Sequence, residues 1–188
     1  MTRARPNELE PFHDDEELNV IIETPKGSRN KFNYDEELGL FKLGGVLPAG
    51  ASFPFDFGFV PSTVGGDGDP LDVLVLMDEP AFAGCLVRAR LVGVIEAEQT
   101  ERDGETTRND RLIAVAAESR LHKGVRTLEA LGAALLDEIE HFFVSYNDFK
   151  GKRFEPLGRF GPARANALVE EGIKKLAKSK KKKRNRER

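Results

Sequence analysis

Residues 66–72 read Gly66-Asp67-Gly68-Asp69-Pro70-Leu71-Asp72 and lead directly into the apolar run from Val73 to Met77. Three carboxylates therefore fall within six residues, immediately before a segment with the composition of a strand. Carboxylates that are held close together repel one another, and a hard cation such as Mg²⁺ relieves that repulsion through oxygen ligands. The stretch predicts a metal site formed by Asp67, Asp69 and Asp72 at the start of a strand.

The spacing of the three acids separates this stretch from other acid-rich motifs. In an extended backbone, residues two apart point to the same side, so Asp67 and Asp69 would share a ligand, and Pro70 would turn the chain before Asp72. An EF-hand loop needs an acid or amide where Leu71 stands, and here the strand begins instead. A phosphatase with a nucleophilic aspartate carries its acids after a strand, which is the reverse order. A solvated turn is the alternative, because Gly, Asp and Pro are ordinary turn formers.

Several segments around this stretch carry a family resemblance. They are Ile22-Glu23-Thr24-Pro25, Asn30-Lys31-Phe32, Phe53 to Pro61, Asp67 to Val75 and His141 to Tyr146. In content, order and spacing, these segments resemble a divergent bacterial-type branch of the soluble family I inorganic pyrophosphatases. The short signature of that family, Asp-x-Asp-Pro-x-Asp followed by an aliphatic residue, is matched in full at residues 67–73.

The resemblance implies a reaction, a cofactor and a fold. The implied reaction is hydrolysis of inorganic pyrophosphate to two phosphates, with Mg²⁺ as the cofactor and direct attack by a water molecule that the metal activates. The implied protein is a cytoplasmic homo-oligomer. Its implied fold is α+β, with a small closed β-barrel, OB-like and of the pyrophosphatase type, followed by two or so helices.

The resemblance also assigns roles to individual residues. Asp69 matches the catalytic carboxylate that accepts a proton from the attacking water. Asp67, Asp72 and Asn109 match metal ligands, although an asparagine offers an oxygen without the charge of the aspartate that the family has there. The substrate-binding positions are matched by Glu23, Lys31, Arg111 and Tyr146, and Arg111 stands where the family has lysine.

The chain departs from the family pattern at other positions. Asn33 replaces a glutamate, Gly45 replaces a phosphate-binding arginine, and Asn147 replaces the lysine that usually follows the tyrosine. Phe53 and Phe57 stand where tyrosines are common. These losses motivate a second hypothesis, which is a catalytically weakened relative that binds metal or phosphate-bearing molecules.

Charged residues between positions 101 and 110 offer replacements for the lost groups. Glu101, Asp103 and Asp110 are candidate metal ligands, and Arg102 and Arg108 are candidate phosphate contacts. The alternative is that these charges only solvate a turn between two strands.

Composition predicts one domain and a charged tail. The chain has 188 residues, of which 39% are hydrophobic, enough for one core over residues 1–177. Residues 178–188 hold eight basic residues and Glu187, a net charge of +7; because the whole chain carries −3, the remainder carries −10. We expect residues 178–188 to be a disordered polybasic tail. Its expected role is that of a solvated appendage, ahead of contact with nucleic acid or an acidic surface.

Cysteine usage and hydropathy predict a cytoplasmic location. Cys85 is the one cysteine of the sequence, which excludes an internal disulfide and fits a reducing compartment. Residues 1–19 are charged and lack an apolar segment, and no later run reaches the length of a membrane span.

Hydrophobic periodicity predicts strands first and helices afterwards. Strands are predicted at residues 18–23, 30–35, 39–43, 73–77, 86–96 and 112–116. Apolar residues recur at helical spacing from Thr127 to Tyr146, and a second helix is predicted to begin near Pro162. The alternating run from Phe53 to Phe59 is predicted to form core. An OB-like barrel with a lysine-rich tail leaves nucleic-acid binding as a third hypothesis, against which the acidic body argues.

Overall fold

The computed structural model describes residues 5–14 and 16–186, with side chains described up to Lys182. In this part of the chain, nine strands and two α-helices form an α+β arrangement. The strands are β1 (Leu18–Thr24), β2 (Asn30–Asp35), β3 (Leu40–Val46), β4 (Asp56–Phe59), β5 (Asp72–Leu76), β6 (Leu86–Thr100), β7 (Thr106–Arg108), β8 (Arg111–Ala116) and β9 (Arg153–Phe160). The helices are α1 (Ala133–Phe149) and α2 (Pro162–Arg186).

Five of the strands close into a ring. β1 pairs with β4, β4 with β5, β5 with β8, and β8 with β6, and β6 also pairs with β1. The β5–β8 pair is parallel and the other four pairs are antiparallel. The long β6 strand also pairs with β7 and β9, whereas β2 and β3 form a separate hairpin. The predicted α+β class with a small OB-like barrel is confirmed.

The central strand β5 is buried on both faces because alternate residues join different cores. Val73 and Val75 share a hydrophobic cluster with residues of α2, whereas Leu74 and Leu76 share a cluster with residues of α1. Successive side chains of a strand point to opposite faces, so a helix covers each side of β5. This double burial fixes the strand that carries Asp72 at its first residue.

The phenylalanine run forms core, as predicted. Phe53, Phe55, Phe57 and Phe59 are all buried. The ring centre of Phe53 lies 5.6 Å from that of Tyr146 on α1, in an edge-on arrangement. The run therefore packs the barrel against the helix that carries Tyr146.

Helix α1 and strand β9 differ from the sequence prediction, the first in its start and the second in its existence. The α-helix begins at Ala133, after a 3-10 helix at Leu128–Leu131, and not at Thr127. Strand β9 was not predicted, because Pro156 and Gly158 both disfavour strands. Its pairing with β6 alone leaves it at an edge of the sheet, where a proline is tolerated.

Helix α2 continues through Arg186, so residues 178–186 are helical, which differs from the disorder predicted for residues 178–188. Lysine and arginine are good helix formers, and extending an existing helix needs no new nucleation. Glu187 and Arg188 lie outside the described residues. The division of the chain at residue 177 stays a prediction.

Although α2 spans 25 residues, neither it nor another described helix has an apolar stretch long enough to cross a membrane.

Candidate active site

A cavity of about 690 Å³ gathers residues from the barrel, from the β2–β3 hairpin and from α1. It brings together all the residues for which the sequence predicted a role in catalysis, metal binding or substrate binding. They are Glu23, Lys31, Asp67, Asp69, Asp72, Asn109, Arg111 and Tyr146. Concave sites with convergent polar groups are where small ligands bind. The cavity is therefore the candidate active site.

The loop that carries the first two acids is a turn. The Asp69 N–H donates a hydrogen bond of 3.1 Å to Oδ1 of Asp67, and the Gly65 N–H donates one of 2.7 Å to the carbonyl oxygen of Asp69. An extended conformation for this stretch was therefore wrong, and the local hydrogen bonds of aspartate are the reason. The turn still leaves Asp67 and Asp69 in the lining of the cavity, together with Asp72 at the start of β5.

The acid loop, residues 65–69, packs closely against Arg108 at the end of β7. A Cβ atom placed on Gly66 would lie 2.3 Å from the carbonyl oxygen of Arg108, far inside van der Waals contact. Gly66 is therefore needed for this approach, which sets the acids beside Asn109. Arg108 itself forms ion pairs of 2.7 Å with Glu96 and 2.8 Å with Asp110, and it is not part of the cavity lining.

Burial and the charge of Asp72 raise the pKa of two of the cavity acids, Asp67 and Asp69. Asp67 is exposed at the cavity, yet partial desolvation and the charges of Asp72 and Asp69 raise its pKa from 3.8 to about 6. Desolvation and the charge of Asp72 also raise the pKa of Asp69, and Lys152 opposes that shift. Carboxylates that disfavour one another's charge in this way form a donor set that a hard cation stabilises.

Arg111 links the acids to a pair of amides. Its Nη1 donates a hydrogen bond of 2.5 Å to Oδ2 of Asp72 and another to Oδ1 of Asn109. Nδ2 of Asn109 in turn donates a hydrogen bond of 3.2 Å to Oε1 of Gln99. The oxygen of Asn109, which was predicted to bind metal, is thus engaged by a guanidinium.

Lys31 and Glu23 form a buried ion pair in the wall of the cavity. Nζ of Lys31 lies 2.8 Å from Oε2 of Glu23, donates to the carbonyl oxygen of Phe32 at 2.9 Å, and lies 4.4 Å from the ring centre of Phe57. Glu23 also accepts a hydrogen bond of 2.7 Å from the Tyr34 N–H. Burial raises the pKa of Glu23, and the charge of Lys31 opposes the rise. Glu23 therefore holds Lys31 in position.

Three lysines of the cavity lining were missed by the sequence prediction. Lys42, Lys150 and Lys152 all line the cavity. Nζ of Lys150 donates a hydrogen bond of 2.9 Å to the hydroxyl of Tyr146, whose pKa is raised by burial. The available signal was the position of Lys150 four residues after Tyr146, at the end of a helix, because residues four apart lie on the same side of a helical turn.

The charged hairpin between β6 and β7 meets the loop that follows α1. Lys152 pairs with Glu101 at 2.7 Å, and Arg102 donates two hydrogen bonds, of 2.8 and 2.6 Å, to the carbonyl oxygen of Lys150. Among the predicted replacements, Glu101 lines the cavity. Neither Arg102 nor Asp103 belongs to the cavity lining, so the hairpin positions a neighbouring loop.

Comparison with known proteins gives the same family in sequence and in structure. The family model described as inorganic pyrophosphatase matches residues 20–177. The inorganic pyrophosphatase of Synechocystis sp. is 39% identical over 157 residues, covering 84% of this chain and 90% of that protein. The inorganic pyrophosphatase of Halalkalibacterium halodurans is 41% identical over 155 residues, covering 82% of this chain and 91% of that protein.

Solved structures agree with these matches. The crystal structure of the inorganic pyrophosphatase of Thermus thermophilus superposes with a TM-score of 0.84 at 34% identity, covering 93% of this chain and 99% of that one. The inorganic pyrophosphatase of Helicobacter pylori gives a TM-score of 0.81 at 36% identity, covering 90% of this chain and 98% of that one. The chain belongs to the inorganic pyrophosphatase family.

Proposed function

We propose that this chain is an inorganic diphosphatase that hydrolyses pyrophosphate to two phosphates with Mg²⁺ as its cofactor. The observation that carries the proposal is the convergence in one cavity of Asp67, Asp69 and Asp72 with Lys31 and Arg111. Pyrophosphate is a compact polyanion, so its hydrolysis needs cations on the phosphoryl oxygens and a positioned water molecule. The cavity combines acids that suit a metal with side chains that suit phosphate.

Asp67, Asp69 and Asp72 supply the oxygen donors that a hard divalent cation prefers, although among the described residues their carboxylate oxygens do not all lie within 4.8 Å of one another. Asp67 and Asp72 are the proposed ligands; desolvation, together with the charges of Asp72 and Asp69, raises the pKa of Asp67, and a bound cation would favour its charged form. Asn109 would add a neutral oxygen, in competition with Arg111. When bound, the cation would supply positive charge to the phosphoryl oxygens and lower the pKa of a water molecule.

Asp69 is the proposed proton acceptor. It lines the cavity, and desolvation together with the charge of Asp72 raises its pKa towards the range in which a carboxylate is an effective base. Water attacks phosphorus, its proton passes to Asp69, and the bond from phosphorus to the bridging oxygen breaks, with its electron pair leaving on the departing phosphate. Asp69 then gives its proton to that phosphate or to solvent. Two phosphates result.

The substrate-binding residues are proposed to orient the two phosphoryl groups. Lys31 and Arg111 would contact phosphate oxygens as cations, and Tyr146 would donate its hydroxyl hydrogen. Glu23 would act through Lys31, since the two form an ion pair of 2.8 Å. Rigid placement of these groups supports the proposal, because charge that is already oriented costs no reorganisation during the reaction.

The test is phosphate release from pyrophosphate by the purified full-length chain. We expect release in Mg²⁺, its loss on adding a chelator, and its return with excess Mg²⁺. A folded protein that releases no phosphate in Mg²⁺ would refute the proposal. If such a protein still bound inorganic phosphate, the second hypothesis of a weakened relative would replace it, which the losses at Asn33, Gly45 and Asn147 favour.

Location and assembly are part of the proposal as well. A cytoplasmic location and a homo-oligomeric state stay predictions, and size-exclusion chromatography with light scattering tests the second. Nucleic acid is not a proposed ligand of the cavity. The carboxylates of the cavity would repel the phosphate backbone of a nucleic acid unless a metal ion lay between them.

A further inference from the structure

Lys150 is a half-buried cation that has no acidic partner among the described residues. Its Nζ donates to the Tyr146 hydroxyl at 2.9 Å and lies 4.7 Å from the ring centre of the same residue. The other cavity lysines are paired: Lys31 with Glu23, Lys42 with Asp35, and Lys152 with Glu101. In the described part of the chain, no carboxylate oxygen lies within 4 Å of the Lys150 ammonium.

A partly buried ammonium group without an ion-pair partner attracts an anion to its side. Partial burial removes water from the ammonium, and desolvation together with the charge of Lys152 lowers the pKa of Lys150, while the more distant charges of Glu101 and Asp72 oppose that shift without forming an ion pair. Removing a charge from water without a counter-charge is costly, and an anion that enters the cavity restores the lost interaction. Inorganic phosphate and pyrophosphate are the anions that the proposed function brings into this cavity.

The neighbouring position 147 explains why the lysine is needed at 150. Asn147 stands where the family usually has a lysine, and it lines the cavity, but the residue is 2% exposed and its Nδ2 donates to the carbonyl oxygen of Phe143 at 2.8 Å. Residues i and i+4 share a helix face, whereas i and i+1 do not. Lys150 therefore reaches the Tyr146 hydroxyl, which Asn147 does not.

The backbone of Lys150 is held from outside the cavity. Nε and Nη2 of Arg102 donate hydrogen bonds of 2.8 and 2.6 Å to its carbonyl oxygen. Gly151 follows with a φ of 72°, and a Cβ atom on it would lie 3.0 Å from Nε of Arg102. A glycine thus provides both the left-handed backbone and the room for the guanidinium. The hairpin between β6 and β7 fixes the end of α1 through this contact.

We propose that Lys150 binds a phosphate group of the substrate or product beside Tyr146, in place of the lysine that position 147 lacks, and that Arg102 is the positioning residue that holds it there. This inference rests on the proposed function, because it takes pyrophosphate or phosphate as the ligand of the cavity. It adds a residue of this chain to the binding machinery and gives the β6–β7 hairpin a role in it.

Binding of inorganic phosphate to the full-length protein in Mg²⁺, measured by calorimetry, tests Lys150 without turnover. We expect Lys150→Gln to raise the Kd for phosphate about tenfold, because a charge-assisted hydrogen bond is lost, and to raise KM for pyrophosphate by a similar factor. Lys150→Arg keeps the cation and should restore most of the affinity. Lys123→Gln removes an exposed lysine outside the cavity and should bind phosphate as the parent does. Parental phosphate affinity in Lys150→Gln would overturn the inference.

Arg102→Gln tests the positioning role. We expect a rise of a few fold in phosphate Kd and in KM, with kcat and the melting temperature changed far less, because the loop loses its anchor while the core stays intact. An unchanged Kd and KM in this variant would refute the role of Arg102. If the parent protein binds phosphate but does not hydrolyse pyrophosphate, the proposed function fails, and the calorimetric comparison still decides whether Lys150 binds phosphate.

Discussion

Arg111 donates a hydrogen bond of 2.5 Å from Nη1 to Oδ2 of Asp72, the acid that begins β5. The guanidinium carbon lies 4.9 and 5.3 Å from the ring centres of Phe143 and Phe154, and the Arg111 side chain is 5% exposed. A guanidinium that is packed on aromatic rings and bonded to a carboxylate has little freedom. Arg111 therefore provides a positive charge at a fixed position beside Asp72 in the wall of the cavity.

Replacing Arg111 should reduce activity, and the reduction should be larger when the replacement removes both the charge and the hydrogen-bond donors. Arg111→Met keeps the apolar packing and removes every donor, so Asp72 loses its partner and the substrate loses a cation. We expect kcat/KM to fall by about 10- to 100-fold, which corresponds to the loss of a charge-assisted hydrogen bond worth about 1.5–3 kcal/mol. Arg111→Lys keeps the charge, so its kcat/KM should lie between that of the parent and that of Arg111→Met. Steady-state kinetics measure this order, and an Arg111→Met protein with parental kcat/KM would contradict it.

Asp69→Asn should separate catalysis from folding. The amide keeps the size of the side chain but accepts a proton far less readily than a carboxylate, so we expect kcat to fall by about 10²- to 10⁴-fold. The exposed acid Asp148 on α1 provides the matched control, because Asp148→Asn removes the same charge outside the cavity. Near-parental turnover in Asp69→Asn, with an unchanged melting temperature, would exclude Asp69 as the proton acceptor.

The raised pKa of Asp67 makes the metal-free protein sensitive to pH. Its pKa is about 6 in the folded protein, against 3.8 as the ordinary value. The folded state therefore holds this proton more tightly, and the stability that the proton contributes is present below the ordinary value and is lost as the pH rises through about 6.

Asp67→Asn isolates this effect. In chelator, we expect the variant to gain melting temperature over the parent at about pH 8, and to gain much less at about pH 4, where the parent carboxyl is largely protonated when folded. Adding Mg²⁺ at the higher pH should raise the melting temperature of the parent more than that of the variant, because a ligand stabilises the state that binds it. Equal differences at both pH values would show that the charge of Asp67 costs the fold nothing.

Gly66→Ala should impair the site more than the fold. The added methyl group meets the carbonyl oxygen of Arg108, so the acid loop must move away from the end of β7. We expect a higher Mg²⁺ concentration for half-maximal activity. Gly124→Ala serves as the control, since a Cβ atom there meets nothing within 4 Å. A Gly66→Ala protein with parental Mg²⁺ dependence would show that the loop tolerates the shift.

The sequence predicted those features that depend on local pattern. The acids at 67, 69 and 72 are close in the chain, and the phenylalanine alternation and the strand periods are local, so most strands and the place of the three acids before β5 followed from them. The closed barrel was implied by the family resemblance and not by these periods. Contacts between distant segments did not follow. Arg102 meets the carbonyl oxygen of Lys150, 48 residues away, and such a contact depends on how two loops are placed by the barrel. Strand β9 was missed because its pairing with β6 overrides the low strand propensity of Pro156 and Gly158.

Deleting residues 178–188 tests the predicted limit of the domain. On α2, Val169 is fully buried and Leu176 is half-buried, whereas the described residues from Ala177 to Lys182 are exposed. The segment buries little surface, so we expect the melting temperature and the turnover of the shortened protein to match those of the full chain. Helical signal in far-ultraviolet circular dichroism should decrease, because residues 178–186 are helical. A lower melting temperature would place part of this segment in the folded domain, and the boundary at 177 would then be wrong.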